Sequence, residues 1–348
     1  MKNFSRILYT WYQQNKRELP WRDEQDPYKI WVSEIILQQT RITQGWNYYL
    51  RFVERFPTIS HLAEASEDEV LKYWQGLGYY SRARNLHAGA KYILKTHNGI
   101  FPDNYADILK IKGVGEYTAA AIASFAFQLP FPAVDGNVFR VLTRIFGIDT
   151  PIDTTAGKKE IVQLATKLID TKQPGLFNQA LMDFGSLQCT PSSPNCEDCC
   201  FAFSCMAKKQ NLSALLPVKS QKTSIKTRYF YYLHLIKNKK TCICRRSAKD
   251  IWQGLYEFPL IENEKELTQD EILNHPFTLS MLKNCQWRVE HISPVHKHQL
   301  SHQTIFGQCI VIKIDKGILF FGENVLLVAE KDLSRYPVSR LMEKISCC

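Results

Sequence analysis

Leu109-Lys110-Ile111-Lys112-Gly113-Val114-Gly115-Glu116-Tyr117-Thr118-Ala119-Ala120-Ala121 sets two glycines, two residues apart, ahead of an alanine-rich stretch. Glycine tolerates the left-handed backbone a tight turn needs, and alanine is the strongest helix former. The spacing predicts a turn that opens directly into a helix, leaving backbone N–H groups uncovered at the helix start. Those groups and the helix dipole favour an anion such as phosphate. A grip of this kind positions a polyanion and carries no sequence information. The glycines alone fit equally well a helical hairpin that only packs, so the surrounding chain has to decide.

The same helical texture covers the first two hundred residues. Asp26-Pro27 offers an N-cap followed by proline at the first helical position, and Phe101-Pro102-Asp103 and Phe131-Pro132 punctuate later helices. Beyond Cys205 the texture changes. A polar, lysine-rich stretch over 207–227 reads as a connector, and Arg228–Ile236, Lys240–Cys244, Gln308–Ile314 and Gly317–Phe321 read as strands. The 348 residues are about twice a typical domain. With 45% hydrophobic and 22% charged residues, wholesale disorder is excluded. No apolar run approaches the roughly 18 residues of a membrane span, and Met1–Lys16 lacks the apolar core of a signal peptide. Lys and Arg exceed Asp and Glu by 44 to 34, and the resulting +10 suits a polyanionic partner. The expected organisation is α+β and multidomain: a helical domain over 1–206 with its hairpin at about 109–122, a linker over 207–227, and a smaller α/β domain over 228–348.

Five of the eleven cysteines fall between Cys189 and Cys205. Cys189, Cys196, Cys199 and Cys205 are spaced C-x6-C-x2-C-x5-C, a loop short enough to close four thiolates around a soft metal centre. A zinc ribbon brings together two C-x2-C knuckles, and only one is present, which favours a cubane cluster over zinc. Spacing alone leaves Cys200 open as a ligand.

Two carboxylates stand out. Glu34 shares a helical face with Ile30 and Leu37, so it is a carboxylate on an apolar stripe, where burial would raise its pKa toward that of a neutral-pH general acid. Taken alone, it reads first as a partly exposed glutamate at the stripe's edge. Asp135 precedes an apolar-periodic segment as an N-cap, a position expected to hold its pKa low and keep it ionised beside a protonated Glu34.

Trp21-Arg22, Trp31-Val32-Ser33-Glu34-Ile35-Ile36-Leu37-Gln38-Gln39-Thr40, Gly76-Leu77-Gly78-Tyr79-Tyr80-Ser81-Arg82-Ala83-Arg84-Asn85, the glycine hairpin, Val134-Asp135-Gly136-Asn137-Val138 and the cysteine loop succeed one another along the chain. Their identity and order resemble the MutY family of adenine DNA glycosylases, within the endonuclease III branch of helix-hairpin-helix iron–sulfur enzymes. The resemblance implies removal of adenine mispaired with 8-oxoguanine or guanine in double-stranded DNA, leaving an abasic site. It implies a [4Fe–4S] cluster on Cys189, Cys196, Cys199 and Cys205, with Lys208 and Lys209 placed to meet phosphate. Glu34 would protonate the flipped adenine at N7 and help activate water, and Asp135 would stabilise the oxocarbenium-like sugar. Tyr117 and Asn137 match residues that support this aspartate and the sugar. Trp21, Arg22 and Asp183 fall where the family lines the adenine pocket, Leu37, Gln39 and Tyr79 where it wedges into the duplex, and Gly113 and Gly115 where it holds the DNA backbone. The base must leave the stack because its glycosidic bond is inaccessible inside it. A monomer is implied, in a reducing compartment that holds DNA: the bacterial cytoplasm, or a eukaryotic nucleus or mitochondrion.

Two other readings are weighed against this one. An endonuclease III-like lyase acts through a lysine at the position of Tyr117, and a phenol cannot form the Schiff base this requires. Phe139, standing where some family members carry lysine, points the same way. A DNA-binding iron–sulfur protein without catalysis would have no use for both Glu34 and Asp135.

In the C-terminal part, Trp252-Gln253-Gly254-Leu255-Tyr256-Glu257-Phe258-Pro259 resembles the Gly-Leu-Trp-Glu-Phe-Pro motif of MutT-type Nudix domains, with Tyr256 in place of tryptophan. Leu260–Pro276 lacks the carboxylate-rich Nudix box that would bind divalent metal, so the domain is expected to recognise rather than hydrolyse. His298-Gln299-Leu300-Ser301-His302 matches the Phe-Ser-His loop that meets 8-oxoguanine, leaving Ser301 and His302 as the polar contacts and Leu300 in place of the stacking phenylalanine.

Overall fold

The structure, a computed structural model, describes residues 3–220, 225–247, 249–317 and 325–346. It divides into two compact units, Met1–Glu64 with Asn85–Lys222, and Ala65–Arg84 with Thr223–Cys348. In chain order the helices are α1 (Phe4–Asn15), α2 (Pro27–Leu37), α3 (Ile42–Arg55), α4 (Ile59–Glu64), α5 (Glu67–Trp74), α6 (Ser81–Thr96), α7 (Tyr105–Ile108), α8 (Glu116–Phe127), α9 (Gly136–Phe146), α10 (Thr155–Leu168), α11 (Pro174–Leu187) and α12 (Met206–Lys209).

Local chemistry starts several of them. The Asp26 side chain accepts the Tyr28 N–H at 2.9 Å and caps α2, Thr154 caps α10, and Asp135 caps α9 through the Val138 N–H at 2.8 Å. Helix α2 is not the amphipathic stripe expected of it. Every residue from Ile30 to Ile36 is buried, so the helix lies inside the unit, packed on α3 and α8. Helix α9 packs on α11, and α11 on α1, around Leu8, Trp11, Val141, Phe177 and Phe184. The glycine hairpin consists of α7, a turn over 109–115, and α8. Gly113 sits at φ 81°, and a Cβ there would meet Asn85 Cβ at 2.6 Å, so both backbone conformation and space require glycine.

The connector read over 207–227 is largely bound to the helical unit. The Arg144 guanidinium donates to the Leu216 carbonyl at 3.0 Å, the Ile152 N–H to that of Val218 at 3.0 Å, and the Ser220 N–H to the Asp153 carboxylate at 3.0 Å. Residues 221–224 lie outside the described residues.

Among the described residues, the second unit is built on a mixed eight-stranded sheet. Its strands are β1 (Lys226–Lys237), β2 (Lys240–Arg245), β3 (Tyr256–Glu257), β4 (Leu260–Asn263), β5 (Gln286–Ile292), β6 (His296–Gln299), β7 (Gln303–Lys316) and β8 (Val325–Ala329). The order is β3-β2-β1-β7-β5, with β4 on β1, β6 on β7 and β8 on β2. Strands β1 and β7 run parallel from Lys226↔Gln303 to Ile236↔Lys313, and the other pairings are antiparallel. Phe230, Tyr231, Tyr232 and Leu233 are buried in succession, as expected of a strand covered on both faces. One face packs with Ile272 and Met281 from two short helices, α13 (Gln269–Leu273) and α14 (Pro276–Met281), and α15 (Arg340–Ser346) packs on β6 and β7. The strands expected at 228–236, 240–244 and 308–314 are present. Of the one expected at 317–321, residues 318–321 lie outside the described residues.

Candidate active site

Nine of the residues singled out in the sequence line one cavity of about 480 Å³ in the helical unit: Trp21, Arg22, Glu34, Leu37, Gln39, Tyr117, Asp135, Asn137 and Asp183. Four elements meet there. Helix α2 supplies Glu34, the uncapped first turn of α8 supplies Tyr117, the start of α9 supplies Asp135 and Asn137, and α11 supplies Asp183.

Glu34 is buried, and desolvation pushes its carboxyl up to about 7. The nearby Asp135 charge adds to the rise, while the Tyr117 hydroxyl, donating to Glu34 Oε2 at 2.8 Å, and the Arg22 charge oppose it. Tyr117 therefore serves Glu34 directly, where support of the aspartate was expected. Burial also holds the Tyr117 phenol well above its usual value, so it remains a donor.

Asp135 departs from expectation too. Its cap geometry is as predicted, yet burial raises its pKa rather than leaving it low. Hydrogen bonds from the Val138 N–H at 2.8 Å and the Asn137 side-chain amide at 2.7 Å, with the Arg140 charge behind them, act against that rise and favour the anion. Glu34 receives one such bond and Asp135 receives several. That difference separates the two carboxyls in a shared cavity.

Three arginines were not identified from sequence. Asp183 is buried and accepts both Arg22, at 2.8 Å to each carboxylate oxygen, and Arg17 in a short ion pair; all three line the cavity. Arg140 and Arg144 are buried on α9, four residues apart among Val138, Val141, Leu142 and Ile145, and that spacing was the available signal. Arg140 donates to Asn137 Oδ1 at 2.8 Å and to the carbonyls of Gly185 at 2.6 Å and Cys189 at 2.7 Å. Arg144 donates to the Thr190 and Pro191 carbonyls and to Cys189 Sγ at 3.5 Å. The helix that presents Asp135 thus also holds the cysteine loop. Its approach to α11 is close: a Cβ on Gly185 would meet Asn137 Cβ at 2.6 Å.

Cys189, Cys196, Cys199 and Cys205 line one small cavity with Arg144, Phe184, Ala202 and Lys208. Cys200 is exposed and does not line that cavity, which sets it apart from the other four; with Cys199, Arg6, Thr10 and Gln14 it borders a neighbouring depression. Among the described residues no three Cys, His, Asp or Glu side chains converge closely enough to hold a single metal ion. Lys208 is paired with Glu197 at 3.0 Å.

Tyr79, Ser301 and His302 do not line the cavity; they belong to the sheet-containing unit. Ser301 and His302 are exposed at the tip of the β6–β7 hairpin, which the Leu300 N–H closes onto the Gln303 carbonyl at 2.8 Å. Tyr79 Oη and Ser301 Oγ are 3.0 Å apart, and Ser301 Oγ lies 3.2 Å from His302 Nδ1. Tyr79 stands at φ 46° and Gln39 at φ 56°, a backbone region that non-glycine residues occupy at a cost and that clusters at functional sites.

Residues 32–170 match the HhH-GPD superfamily of base excision DNA repair proteins, and residues 231–346 match the NUDIX domain. An adenine DNA glycosylase of Buchnera aphidicola subsp. Baizongia pistaciae is 35% identical over 330 residues, 92% of this chain and 89% of that protein. The chain belongs to the adenine DNA glycosylase family. An adenine DNA glycosylase of Homo sapiens is 42% identical over 216 residues, 60% of this chain and 40% of that protein. The structure of a thermostable thymine-DNA glycosylase superposes with a TM-score of 0.57 at 30% identity, covering 60% of this chain and 96% of the other. The protein is a base-excision repair enzyme of the adenine glycosylase type, with a helical glycosylase fold followed by a Nudix-like sheet domain. Among its described residues no helix is long and apolar enough to cross a membrane.

Proposed function

We propose that the enzyme hydrolyses the N-glycosidic bond of adenine mispaired with 8-oxoguanine or guanine, and leaves the DNA backbone intact. The observation that carries this reading is the pair of carboxyls in one cavity, Glu34 with its pKa pushed up to about 7 and Asp135 held by several donated hydrogen bonds. Protonated Glu34 donates to N7 of the flipped adenine. The electron pair of the C1′–N9 bond then leaves with the base, and the sugar becomes an oxocarbenium-like cation beside the Asp135 carboxylate. Water adds at C1′ and gives its proton to the Glu34 carboxylate, which restores the acid and leaves adenine and an abasic site. Asn137 orients Asp135, while Trp21, Arg22 and Asp183 wall the base pocket. Tyr117 offers no amine for a Schiff base, in keeping with a monofunctional glycosylase.

Around this centre, Gly113 and Gly115 at the start of α8 grip phosphate of double-stranded DNA, and Leu37 and Gln39 at the cavity enter the stack. Tyr79, Ser301 and His302 read the base opposite adenine. Cys189, Cys196, Cys199 and Cys205 hold a [4Fe–4S] cluster, which when bound closes the loop structurally rather than taking part in the hydrolysis. Four thiols lining one small cavity beside Arg144 and Lys208 would supply the four thiolates such a cluster takes. Such an enzyme works as a monomer, in a reducing compartment with access to DNA.

Incubation with a duplex carrying adenine opposite 8-oxoguanine tests the proposal. Free adenine should be released, with strands that remain whole until alkali is added. Release of an oxidised pyrimidine instead, or strand scission without alkali, overturns it.

A further inference from the structure

Tyr256 occupies the tryptophan position of the Gly-Leu-Trp-Glu-Phe-Pro motif, and its hydroxyl has a specific partner. Tyr256 is buried, and its Oη donates to Asp68 Oδ2 at 2.8 Å; the other Asp68 oxygen faces the Arg245 guanidinium at 3.3 Å. Asp68 lies in the first turn of α5, an eight-residue helix capped by Ser66 that leads into the turn carrying Tyr79. The far end of this segment returns to the same place. Tyr80 Oη donates to the Val338 carbonyl at 3.3 Å, and Lys72 Nζ to that of Tyr336 at 3.3 Å. Tyr256 itself bridges to Val338, donates its N–H to Pro337 at 2.8 Å, and packs its ring edge-on against Tyr336 at 4.9 Å. Both ends of the segment that holds Tyr79 thus meet one place in the fold, the Asp68 end through the Tyr256 side chain and the Tyr80 end through the 336–338 backbone on which Tyr256 packs.

Tyr79 needs such restraint. Its left-handed backbone relaxes unless the surroundings hold it, and its hydroxyl must stay within 3.0 Å of Ser301. We propose that the Tyr256 hydroxyl is a positioning group for mispair discrimination: by anchoring Asp68 it fixes the α5 segment, and through it holds Tyr79 beside Ser301. This inference rests on the reading of Tyr79, Ser301 and His302 as contacts to the base opposite adenine. Tryptophan at position 256 has no phenolic oxygen to offer Asp68.

The test is single-turnover excision by the full-length protein on two duplexes, adenine opposite 8-oxoguanine and adenine opposite guanine. Tyr256→Phe removes one oxygen and should lower the preference for the 8-oxoguanine duplex about tenfold, the scale of a lost hydrogen bond to a charged group, with the rate opposite guanine and the melting temperature unchanged. Asp68→Ala should reproduce the loss, Asp68→Asn, which keeps an acceptor oxygen, should retain most of the preference, and the Tyr256→Phe/Asp68→Ala double variant should be no worse than either single change. Ser301→Ala separates the two claims. If it lowers the preference while Tyr256→Phe does not, the tether is wrong and the reading of Ser301 stands; if neither changes it, both fall. Equal losses on the two duplexes together with a lowered melting temperature would make Tyr256 merely structural and overturn the proposal.

Discussion

The Tyr117 hydroxyl donates to Glu34 Oε2 at 2.8 Å, so a hydrogen bond on the buried carboxyl works against the effect of its burial. Desolvation and the Asp135 charge favour the neutral carboxyl, the phenol and the Arg22 charge favour the carboxylate, and the balance lies at about 7. An acid poised there can both give a proton and take one back at neutral pH, as hydrolysis through a single carboxyl requires.

Removing that donor should shift the pH profile in a known direction. In Tyr117→Phe the carboxylate loses its hydrogen bond, and the Glu34 pKa rises further. The alkaline limb of single-turnover adenine release, which reports loss of the protonated acid above about pH 7 in the parent, should move to higher pH by about one unit. A rate profile that stays in place would break the link between the two side chains.

Asp183→Asn should move the same limb the opposite way. Asp183 neutralises Arg17 and Arg22, and the Arg22 charge already lowers the Glu34 pKa. Uncovering that charge stabilises the Glu34 carboxylate, so activity should decline at lower pH than in the parent. Loss of a buried ion-pair partner should also destabilise the fold by about 1–3 kcal/mol, measured by denaturant unfolding.

Glu34→Gln should abolish excision and leave duplex binding intact, and it should also stabilise the protein at alkaline pH. Burial pushes the Glu34 carboxyl from the ordinary glutamate value of about 4.5 up to about 7, so the neutral form suits the fold. Stability from this site is complete below about pH 4.5 and is lost as pH rises through about 7, a cost of order 3 kcal/mol above that. Glutamine never charges. The melting temperature of Glu34→Gln should therefore exceed the parent's at pH 8 and match it at pH 4.

The cysteine loop makes a compositional prediction. The purified protein should be brown, with about four irons per chain and matching acid-labile sulfide. Cys199→Ser should lose both colour and stability, whereas Cys200→Ser should keep them, because Cys199 lines the four-cysteine cavity and Cys200 does not. A colourless protein containing zinc would exclude the cluster.

The two hairpin glycines should respond unequally. A methyl group on Gly113 meets Asn85 Cβ at 2.6 Å and forces φ 81° on an L residue, whereas one on Gly115 meets nothing within 4 Å. Gly113→Ala should cost about 1–3 kcal/mol of stability and weaken binding to any duplex, and Gly115→Ala should fold normally.

The amino-acid sequence by itself determined the helical part and the sheet part, the cysteine spacing, the glycine turn, and the two carboxyls with most of the residues that surround them. These are short-range signals: caps, turn residues, ligand intervals and the periodicity of apolar side chains all act within a few positions of one another. Only the tertiary structure decided what those groups do to each other. Burial of α2 raises the Glu34 pKa, the reach of Tyr117 across from α8 acts against that rise, and Asp135 is raised where its cap alone would hold it low. Arg17 joins Asp183 across 166 positions, and Tyr256 joins Asp68 across 188. Desolvation and hydrogen-bond partnership depend on which distant segments exclude water from a group, and no local pattern encodes that.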